Sequence, residues 1–267
     1  MLAPVSHTGI VAPAMAALLR DIMAELDRVL EPGRFDDYGP NGLQVPGREE
    51  VHTVATGVSA HAELFELAAH APAQLVLVHH GLFWGSGPGP IDALLKRRLE
   101  ILFDAGMSLA AYHLPLDAHP QLGNNALLAH ALGAAELEPF APHRHQPIGC
   151  IARLEPSLPA RELFARVARV TERPPLVFDS GPAEVARLAV VSGAGNHYIA
   201  HALAAHADAF LTGEPTERVM AQAREGAIHY IAAGHHATET FGIRALGQHL
   251  AQRFPVRHLF LDVPNPV

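Results

Sequence analysis

Two adjacent histidines, His79 and His80, directly follow a short apolar segment of the sequence. This segment, residues 75–78, is typical of a buried strand in a parallel sheet. Histidine is the commonest metal ligand among protein side chains. Adjacent side chains of an extended chain point to opposite sides, so the pair faces either two separate ions or one ion and the core. Taken alone, the pair is explained equally well as a polar strand end.

Asp117 is a second candidate ligand, four residues after His113. Both follow residues 107–112, which are also predicted to form a buried strand. Because Pro115 lies between them, we predict a stiff loop here rather than a simple helix. A carboxylate in such a loop can bridge two cations, since each of its oxygens carries lone pairs. By itself, Asp117 is better explained as a turn or helix-cap residue.

His235 and Glu239 form the third candidate pair, with i, i+4 spacing at a predicted strand-to-helix junction. This spacing places both side chains on one helix face, close enough to share a metal ion. His236 lies beside them, and Thr238 is an alternative cap for the helix that follows. The order His-x-x-x-Glu differs from the His-Glu-x-x-His of zinc proteases, so the motif alone is weak evidence.

Together, the three segments make a stronger case than any one of them. Each supplies nitrogen or oxygen ligands at or just beyond the end of a predicted strand, and such a mixed set suits zinc, manganese, iron(II) or nickel. Five ligands exceed the four of a structural zinc site, which favours two divalent ions per chain that share Glu239 or Asp117. The predicted metal ligands are His79, His80, Asp117, His235 and Glu239.

The composition argues against several classes of protein. The formal net charge of −8 argues against general binding of nucleic acid, which needs a basic surface. The single cysteine, Cys150, excludes intramolecular disulfides and cysteine-based metal clusters. Neither a secretory signal pattern nor an apolar run of about 20 residues is apparent, so we expect a cytoplasmic protein without membrane contact.

Two glycine-rich stretches could be mistaken for phosphate-binding loops. Residues 85–89 lack the Lys-Ser/Thr of a phosphate-binding loop, and we predict a flexible surface loop beside the site. Gly193-Ala194-Gly195 precedes a predicted helix and is interpreted as a tight turn, with a phosphate cradle as the alternative.

Alternating strands and helices must position these side chains. The pattern predicts an α/β fold of two α/β domains with largely parallel sheets and a metal site in a cleft at the carboxyl ends of the strands. Residues 139–147 contain three prolines and are predicted to be a domain boundary. Helices are predicted over 14–31, 61–70, 91–104, 124–132, 160–170, 197–207, 217–225 and 238–254, and strands over 51–58, 75–78, 107–112, 149–154, 187–192, 209–212 and 227–232.

Five motifs follow one another along the chain: Asn41-Gly42-Leu43-Gln44-Val45, His79-His80-Gly81, His113-Leu114-Pro115-Leu116-Asp117 with Gly123-Asn124-Asn125, Thr212-Gly213-Glu214, and Gly234-His235-His236-Ala237-Thr238-Glu239. In this order, and together with the C-terminal segment 261–266, they resemble the NIF-three-like family, whose members are also named GTP cyclohydrolase 1 type 2 homologues. One departure is that an acidic residue usually precedes the first motif, whereas here Gly39-Pro40 precede it and Asp36 and Asp37 lie further back.

The resemblance implies a two-domain α/β protein with a dinuclear metal site, assembled as a ring-shaped hexamer. The five predicted ligands fall on the ligand positions of the family, and His113 falls on a further histidine that lines the site. Glu214 falls on a pocket carboxylate without an assigned role. The first and last segments are expected to fold together, which gives a metal-binding domain of residues 1–138 plus 227–267 and a smaller domain of residues 139–226.

Two functions remain open at this point. The first is a metal-dependent hydrolase, in which His113 or His236 acts as general acid or base on a nucleotide, a phosphoester or a purine ring, as in GTP cyclohydrolysis. The second is a non-catalytic regulatory or scaffold protein, in which the ions order the cleft for a partner. We favour the hydrolase, with two divalent ions whose identity the ligand set does not fix.

Overall fold

Strands and helices alternate along the part of the chain that the computed structural model describes, residues 16–85, 87 and 89–267. The helices are α1 (Leu19–Leu30), α2 (Ala62–His70), α3 (Ala93–Ala105), α4 (Leu114–Ala118), α5 (Asn124–Ala131), α6 (Ala160–Val170), α7 (Ile199–Ala204), α8 (Val219–Glu225), α9 (His235–Thr238) and α10 (Thr240–Arg253). The strands are β1 (Ala17–Leu18), β2 (Gly42–Val45), β3 (Glu50–Val51), β4 (Thr53–Ser59), β5 (Leu75–His80), β6 (Ser108–Ala111), β7 (Ala134–His143), β8 (Gln146–Pro159), β9 (Leu176–Phe178), β10 (Glu184–Val191), β11 (Ala209–Thr212), β12 (His229–Ala232) and β13 (Arg257–Phe260).

Two large sheets organise these elements. The five-stranded sheet has the order β13-β4-β5-β6-β2, and all its pairs are parallel except β2 with β6. The six-stranded sheet has the order β7-β8-β10-β11-β12-β9, with parallel pairing only within β10-β11-β12. The predicted α/β class is confirmed, and the antiparallel flanks make the second sheet mixed.

Strand β5 is covered on both faces, which explains its continuous apolar sequence. Leu75 and Leu77 belong to the cluster formed with α1 and α10, whereas Val76 and Val78 belong to the cluster formed with α2 and α3. All four side chains are fully buried. The strand therefore delivers His79 and His80 from a rigid, closely packed core.

The six-stranded sheet is also covered on both faces. Leu188, Leu211 and Ile231 pack in the cluster that includes α5 and α6, whereas Phe210 and Tyr230 face the cluster that includes α7 and α8. The parallel strands of this sheet therefore end in fixed positions, as those of the first sheet do.

Several sequence predictions need correction. The helix predicted over 14–31 begins at Leu19, and residues 14 and 15 lie outside the described residues. The prediction that Pro115 denies a helix is wrong, because α4 contains it in the first turn, where its missing amide hydrogen costs nothing. The strand predicted over 51–58 is divided between β3 and β4. In the predicted 85–89 loop, residues 86 and 88 lie outside the described residues.

The proposed domain boundaries do not coincide with the limits of the sheets. Residues 139–147 form the tip of the β7-β8 hairpin, in which Pro139 pairs with Cys150 and His143 with Gln146. The six-stranded sheet begins at Ala134 and includes β12. The division into residues 1–138 plus 227–267 and 139–226 therefore remains a proposal, and the sheets place its limits nearer residues 133 and 233.

The apolar side chains near the start of α3 are not part of the core. The sequence predicts an amphipathic helix here, and Leu102 is indeed fully buried. Ile91 is 65% exposed, and Leu94 is 68% exposed.

Among the described residues, no helix has the length and apolar character needed to cross a membrane.

A buried carboxylate links α1 to α10 and should make stability depend on pH. Glu25 accepts two hydrogen bonds of 2.8 Å from Arg28 and lies 2.9 Å from Nε2 of His249. The Arg28 guanidinium, helped by His249, lowers the pKa of Glu25 to about 2 against the opposing effect of burial. Because this pKa lies below that of the unfolded chain, the ionised carboxylate stabilises the fold above about pH 4.5, and this stabilisation is lost as the pH falls towards 2.

We therefore expect Glu25→Gln to lower the free energy of unfolding at pH 7, by an amount that shrinks as the pH falls from 5 towards 2. Urea unfolding followed by circular dichroism at several pH values measures both quantities. The exposed Glu225→Gln is the control and should match wild type throughout. A Glu25→Gln difference that is independent of pH would contradict the assignment.

Candidate metal centre

The five predicted ligands and His113 converge beyond the carboxyl ends of β5, β6 and β12. Parallel strands bring their carboxyl ends to one edge, which is why residues far apart in sequence meet here. Among the described residues, three overlapping groups have ligand atoms within 4.8 Å of one another: His79, Asp117 and Glu239; His80, His235 and Glu239; and His79, His80 and His113.

Glu239 lies at the centre of the cluster. Its Oε2 is 3.2 Å from Nε2 of His80 and 3.1 Å from Nε2 of His235, and its Oε1 is 3.6 Å from Nε2 of His79. The residue separates α9 from α10, so the i, i+4 pair spans a break between two helices rather than one continuous helix face. The predicted proximity of His235 and Glu239 is nevertheless confirmed.

Each of the four histidines is held through its Nδ1 atom. Because Nδ1 is bound to a partner, the Nε2 atom of each ring is left to face the cluster. Partners of this kind also fix the ring orientation of histidines in metal sites. The Nδ1 partners are the Tyr112 carbonyl for His79 at 3.0 Å, Ser59 Oγ for His80 at 3.0 Å, Glu214 Oε1 for His235 at 2.5 Å, and Asp37 Oδ1 for His113 at 2.7 Å.

Asp117 is anchored by two hydrogen-bond donors, which both bind the oxygen that lies 3.6 Å from His79 Nε2. Asn124 Nδ2 donates to Asp117 Oδ1 at 2.8 Å, and Ser192 Oγ donates to the same oxygen at 3.1 Å. Asn125, the next residue of the Gly-Asn-Asn motif, donates to the Ile148 carbonyl at 2.6 Å and so ties α5 to β8. The bonds from Asn124 and Ser192 therefore fix the orientation of the buried Asp117 side chain, and neither of them involves its Oδ2 atom.

The turn at Gly193 packs directly against the Glu239 carboxylate. Gly193 has a φ of +58°, which side chains rarely tolerate, and a Cβ atom there would overlap the Glu239 carboxylate. Its amide donates to Thr238 Oγ1 at 3.0 Å, and that hydroxyl donates to the Gly234 carbonyl at 2.9 Å. The predicted tight turn is confirmed, and Thr238 binds this turn instead of capping α10.

Charge at the cluster favours cations. Burial disfavours a charged ring at His79, but Asp117 and Glu239 outweigh this effect and raise the pKa of His79 to about 9. At His235 the carboxylates of Glu239 and Glu214 likewise overcome burial and raise the pKa to about 9. Burial lowers the pKa of His80 to about 3, which keeps this ring neutral, the state that a metal ligand needs.

Two polar atoms of the cluster have no hydrogen-bond partner within the described part of the chain. They are His79 Nε2 and Glu239 Oε2, both buried. Buried polar atoms without a partner are rare because each costs free energy of about 1–3 kcal/mol. A cation beside these atoms would satisfy both of them, and the mixed histidine and carboxylate donors fit a divalent metal.

The structure distinguishes the two histidines predicted to act in catalysis. His113 lies in the cluster, with its ring centre 5.0 Å from that of His79. His236 is not in these ligand groups, and its Nε2 lies 2.9 Å from Asp262 Oδ1. The geometry therefore favours His113 over His236 for chemistry at the cluster.

A cavity of about 260 Å³ opens onto the cluster between the two sheets. Sequence reasoning missed several residues here, among them Tyr38, Trp84 and Ser192. The sequence did point to one supporting residue, Asp37. An acidic residue usually comes directly before the first family motif, and Asp37 lies a few residues further back. The lining residues are Tyr38, His80, Trp84, His113, Leu114, Asp117, Asn125, Ile148, Val191, Ser192, Ala194, Gly195, His197, Tyr198, His235 and Glu239.

Glu214 holds His235, and its removal should weaken metal binding. We expect Glu214→Ala to lower metal affinity by about 10- to 100-fold, the usual effect of removing such a second partner. Competition with a chromophoric chelator measures the affinity. Glu217→Ala, an exposed change in the same loop, is the control and should leave it unchanged. Equal affinities in the two variants would refute the role of Glu214.

The fold and the site define an α/β protein with a buried histidine and carboxylate cluster that can hold metal. A sequence model of the Duf34/NIF3 (NGG1p interacting factor 3) family matches residues 17–266. A GTP cyclohydrolase 1 type 2 homolog from Pseudomonas aeruginosa is 46% identical over 256 residues, covering 94% of this chain and 100% of that protein. One from Escherichia coli is 42% identical over 246 residues, covering 90% and 96%. The chain therefore belongs to the Duf34/NIF3 family.

Solved structures agree with this assignment. The protein TTHA1606 from Thermus thermophilus superposes with a TM-score of 0.88 at 37% identity, covering 94% of this chain and 100% of that one. The protein ybgI, described as of unknown function, also has a TM-score of 0.88, at 38% identity and the same coverage.

Proposed function

We propose that the protein is a hydrolase that depends on two divalent metal ions per chain. The observation that carries the proposal is the sharing of Glu239 between two ligand groups, one with His79 and Asp117 and the other with His80 and His235. A carboxylate whose two oxygens face different groups is suited to bridge two ions. Zinc, manganese, iron and nickel all suit these donors.

Bound ions of this kind supply an acidified water molecule and a clamp for the oxygens of the scissile group. The chain itself supplies the proton carrier, because His113 faces the same cavity and its Nδ1 lies 2.7 Å from Asp37. Burial opposes ionisation of Asp37, but hydrogen bonds from His113 and Asn41 outweigh it and lower the pKa of Asp37. The ionised Asp37 occupies Nδ1 of His113, so Nε2 is the ring nitrogen left to exchange a proton with a substrate.

The substrate class that we propose is a nucleotide or another phosphoester. The cavity of about 260 Å³ lies beside the ligand cluster and is close to the lower end of the range for small-molecule sites, about 300–1,000 Å³. GTP cyclohydrolase-type chemistry is one form of this proposal, suggested by the name shared by the relatives from Pseudomonas aeruginosa and Escherichia coli. Hydrolysis of a purine ring and hydrolysis of a phosphoester both need an activated water, which attacks a ring carbon in the first case and phosphorus in the second.

Elemental analysis combined with a hydrolysis panel tests the proposal. We expect about two ions per chain, turnover of at least one nucleotide or phosphoester, loss of turnover on chelation, and recovery when metal is restored. His113→Gln should keep the ions while turnover falls by about 10²- to 10⁴-fold. Metal binding without turnover of any panel member would instead support a non-catalytic regulatory or scaffold role.

Assembly is a further part of the proposal. We propose a homo-oligomer, a hexamer by resemblance to the family, and the exposed apolar residues Ile91, Leu94 and Phe103 on or near α3 support burial of this surface. Sedimentation equilibrium should give six times the chain mass of 28.5 kDa. A monomer at micromolar concentration would refute the assembly without affecting the metal site.

A further inference from the structure

Two aromatic side chains stand at the mouth of the cavity with much of their surface in solvent. Trp84 is 46% exposed and Tyr38 is 51% exposed, although both line the cavity that leads to the ligand cluster. Large aromatic rings contribute to stability mainly when they are buried, so leaving two of them half-exposed at a cavity forgoes part of that contribution. Exposed apolar surface of this kind at a cavity mouth marks a binding surface.

The two backbone segments that carry these rings contact each other directly. The Gly85 amide donates to the Tyr38 carbonyl at 2.6 Å, which joins the segment that carries Trp84 to the segment that carries Tyr38. A Cβ atom on Gly39 would lie 2.6 Å from the Phe83 carbonyl oxygen, so the two segments are in direct contact. The backbone positions of the two aromatic residues are therefore fixed relative to each other by the fold.

Both rings also contact the catalytic candidate His113. The ring centre of Trp84 lies 5.3 Å from that of His113 in an edge-to-face arrangement, and the ring centre of Tyr38 lies 5.9 Å from it. Trp84 is also 5.8 Å from His80, which belongs to the ligand cluster. A flat group stacked on Trp84 would thus lie close to His113 and His80, the neighbours of Trp84 that take part in the proposed hydrolysis.

We propose that the substrate carries a planar unsaturated ring, such as a nucleobase, which stacks on Trp84 and is bordered by Tyr38. This inference rests on the proposed function and selects nucleotides over phosphoesters without a ring. Stacking of a base on an aromatic side chain strengthens binding by about 5- to 150-fold and tolerates different bases, because every base has a π-face. Trp84 and Tyr38 determine specificity, while the ligand cluster and His113 carry the reaction.

The chain offers a direct probe, because Trp84 is its single tryptophan. Intrinsic tryptophan fluorescence therefore reports only on the cavity mouth. The ligands are guanosine, adenosine and uridine 5′-monophosphates, compared with ribose 5-phosphate, which has the same sugar phosphate without a ring. Binding is measured by fluorescence quenching and by calorimetry on the protein as purified, and chromatography verifies that the ligands stay intact.

We expect at least one nucleotide to bind at least 5-fold more tightly than ribose 5-phosphate and to quench Trp84. Trp84→Leu should abolish this preference in calorimetry, and Trp84→Phe should retain most of it because it keeps an aromatic face. Leu176→Ala, which truncates a 50% exposed apolar side chain that does not line the cavity, is the control and should bind as wild type does.

The inference is overturned if none of the nucleotides binds more tightly than ribose 5-phosphate, or if Trp84→Leu keeps the preference. The result does not depend on turnover. Ring-selective binding without hydrolysis would leave this inference standing and refute the proposed function, whereas hydrolysis of ringless phosphoesters with equal kcat/KM would do the reverse.

Discussion

Replacing Glu239 by glutamine should reduce the metal content from about two ions per chain to less than one and abolish metal-dependent turnover. The substitution keeps the volume of the side chain but removes its negative charge, and one amide oxygen cannot serve both ligand groups. Because Glu239 faces His79, His80 and His235, both groups are affected at once. The loss of affinity should exceed the roughly 10- to 100-fold effect of removing a partner outside the ligand set.

Elemental analysis after dialysis and calorimetric titration with zinc provide the measurement for this variant. Glu225→Gln, an exposed change of the same chemistry at the end of α8, is the control and should retain full metal content. If Glu239→Gln binds two ions with wild-type affinity, the ligand assignment is wrong. If it loses only one ion, Glu239 serves one group and does not bridge.

Substituting alanine for Gly193 should damage both the fold and the metal site. The φ of +58° at this residue is unfavourable for alanine, and strain of this type costs about 1–3 kcal/mol. The new methyl group would also overlap the Glu239 carboxylate and push it away from the histidines. We expect a free energy of unfolding lower by at least that strain and a metal affinity reduced by about 100-fold or more.

Denaturant unfolding of protein stripped of metal by a chelator measures the effect of the backbone strain on the free energy of unfolding. Metal titration measures the effect of displacing Glu239 on metal affinity. Gly33→Ala is the matched control, because a Cβ atom at Gly33 meets no described atom within 4 Å and no positive φ is required there. Its stability should stay within about 0.5 kcal/mol of wild type. A Gly193→Ala protein that binds metal normally would show that the turn does not position the carboxylate.

The strands that sequence patterns predicted are interior strands of the two large sheets. Strands β4, β5, β6, β8, β10, β11 and β12 each have a neighbour on both sides, and burial on both faces makes most of them continuously apolar. Their carboxyl ends carry the ligands, so a correct strand prediction also located His79, His80 and His235. The cluster of candidate ligands was predictable because it follows from the same apolar runs as the sheets.

Besides β1, the strands that sequence patterns missed are the four edges of the two large sheets, β2, β7, β9 and β13. Edge strands bury less surface and tolerate residues that interior strands exclude, as Pro139 and Pro142 in β7 illustrate. Their sequences therefore resemble loops. The prediction of a domain boundary at residues 139–147 follows from this property.

The partners that hold the ligands were harder to predict than the ligands. Asp37 lies 76 residues from His113, and Ser192 lies 75 residues from Asp117. A single serine or aspartate has no periodicity, so only the folded chain reveals which histidine or carboxylate it supports. The role of Glu214 likewise became clear only from its contact with His235.

The ligand cluster draws on both sheets, since His79 and His80 end β5 of one sheet whereas His235 follows β12 of the other. Ions held jointly by these groups, as proposed above, would crosslink the two sheets. Any motion that separated the sheets at this edge would also pull the candidate ligands apart, so it would weaken metal binding. By reciprocity, a substrate that drew the two sheets together would tighten metal binding by the same factor by which metal would tighten binding of the substrate.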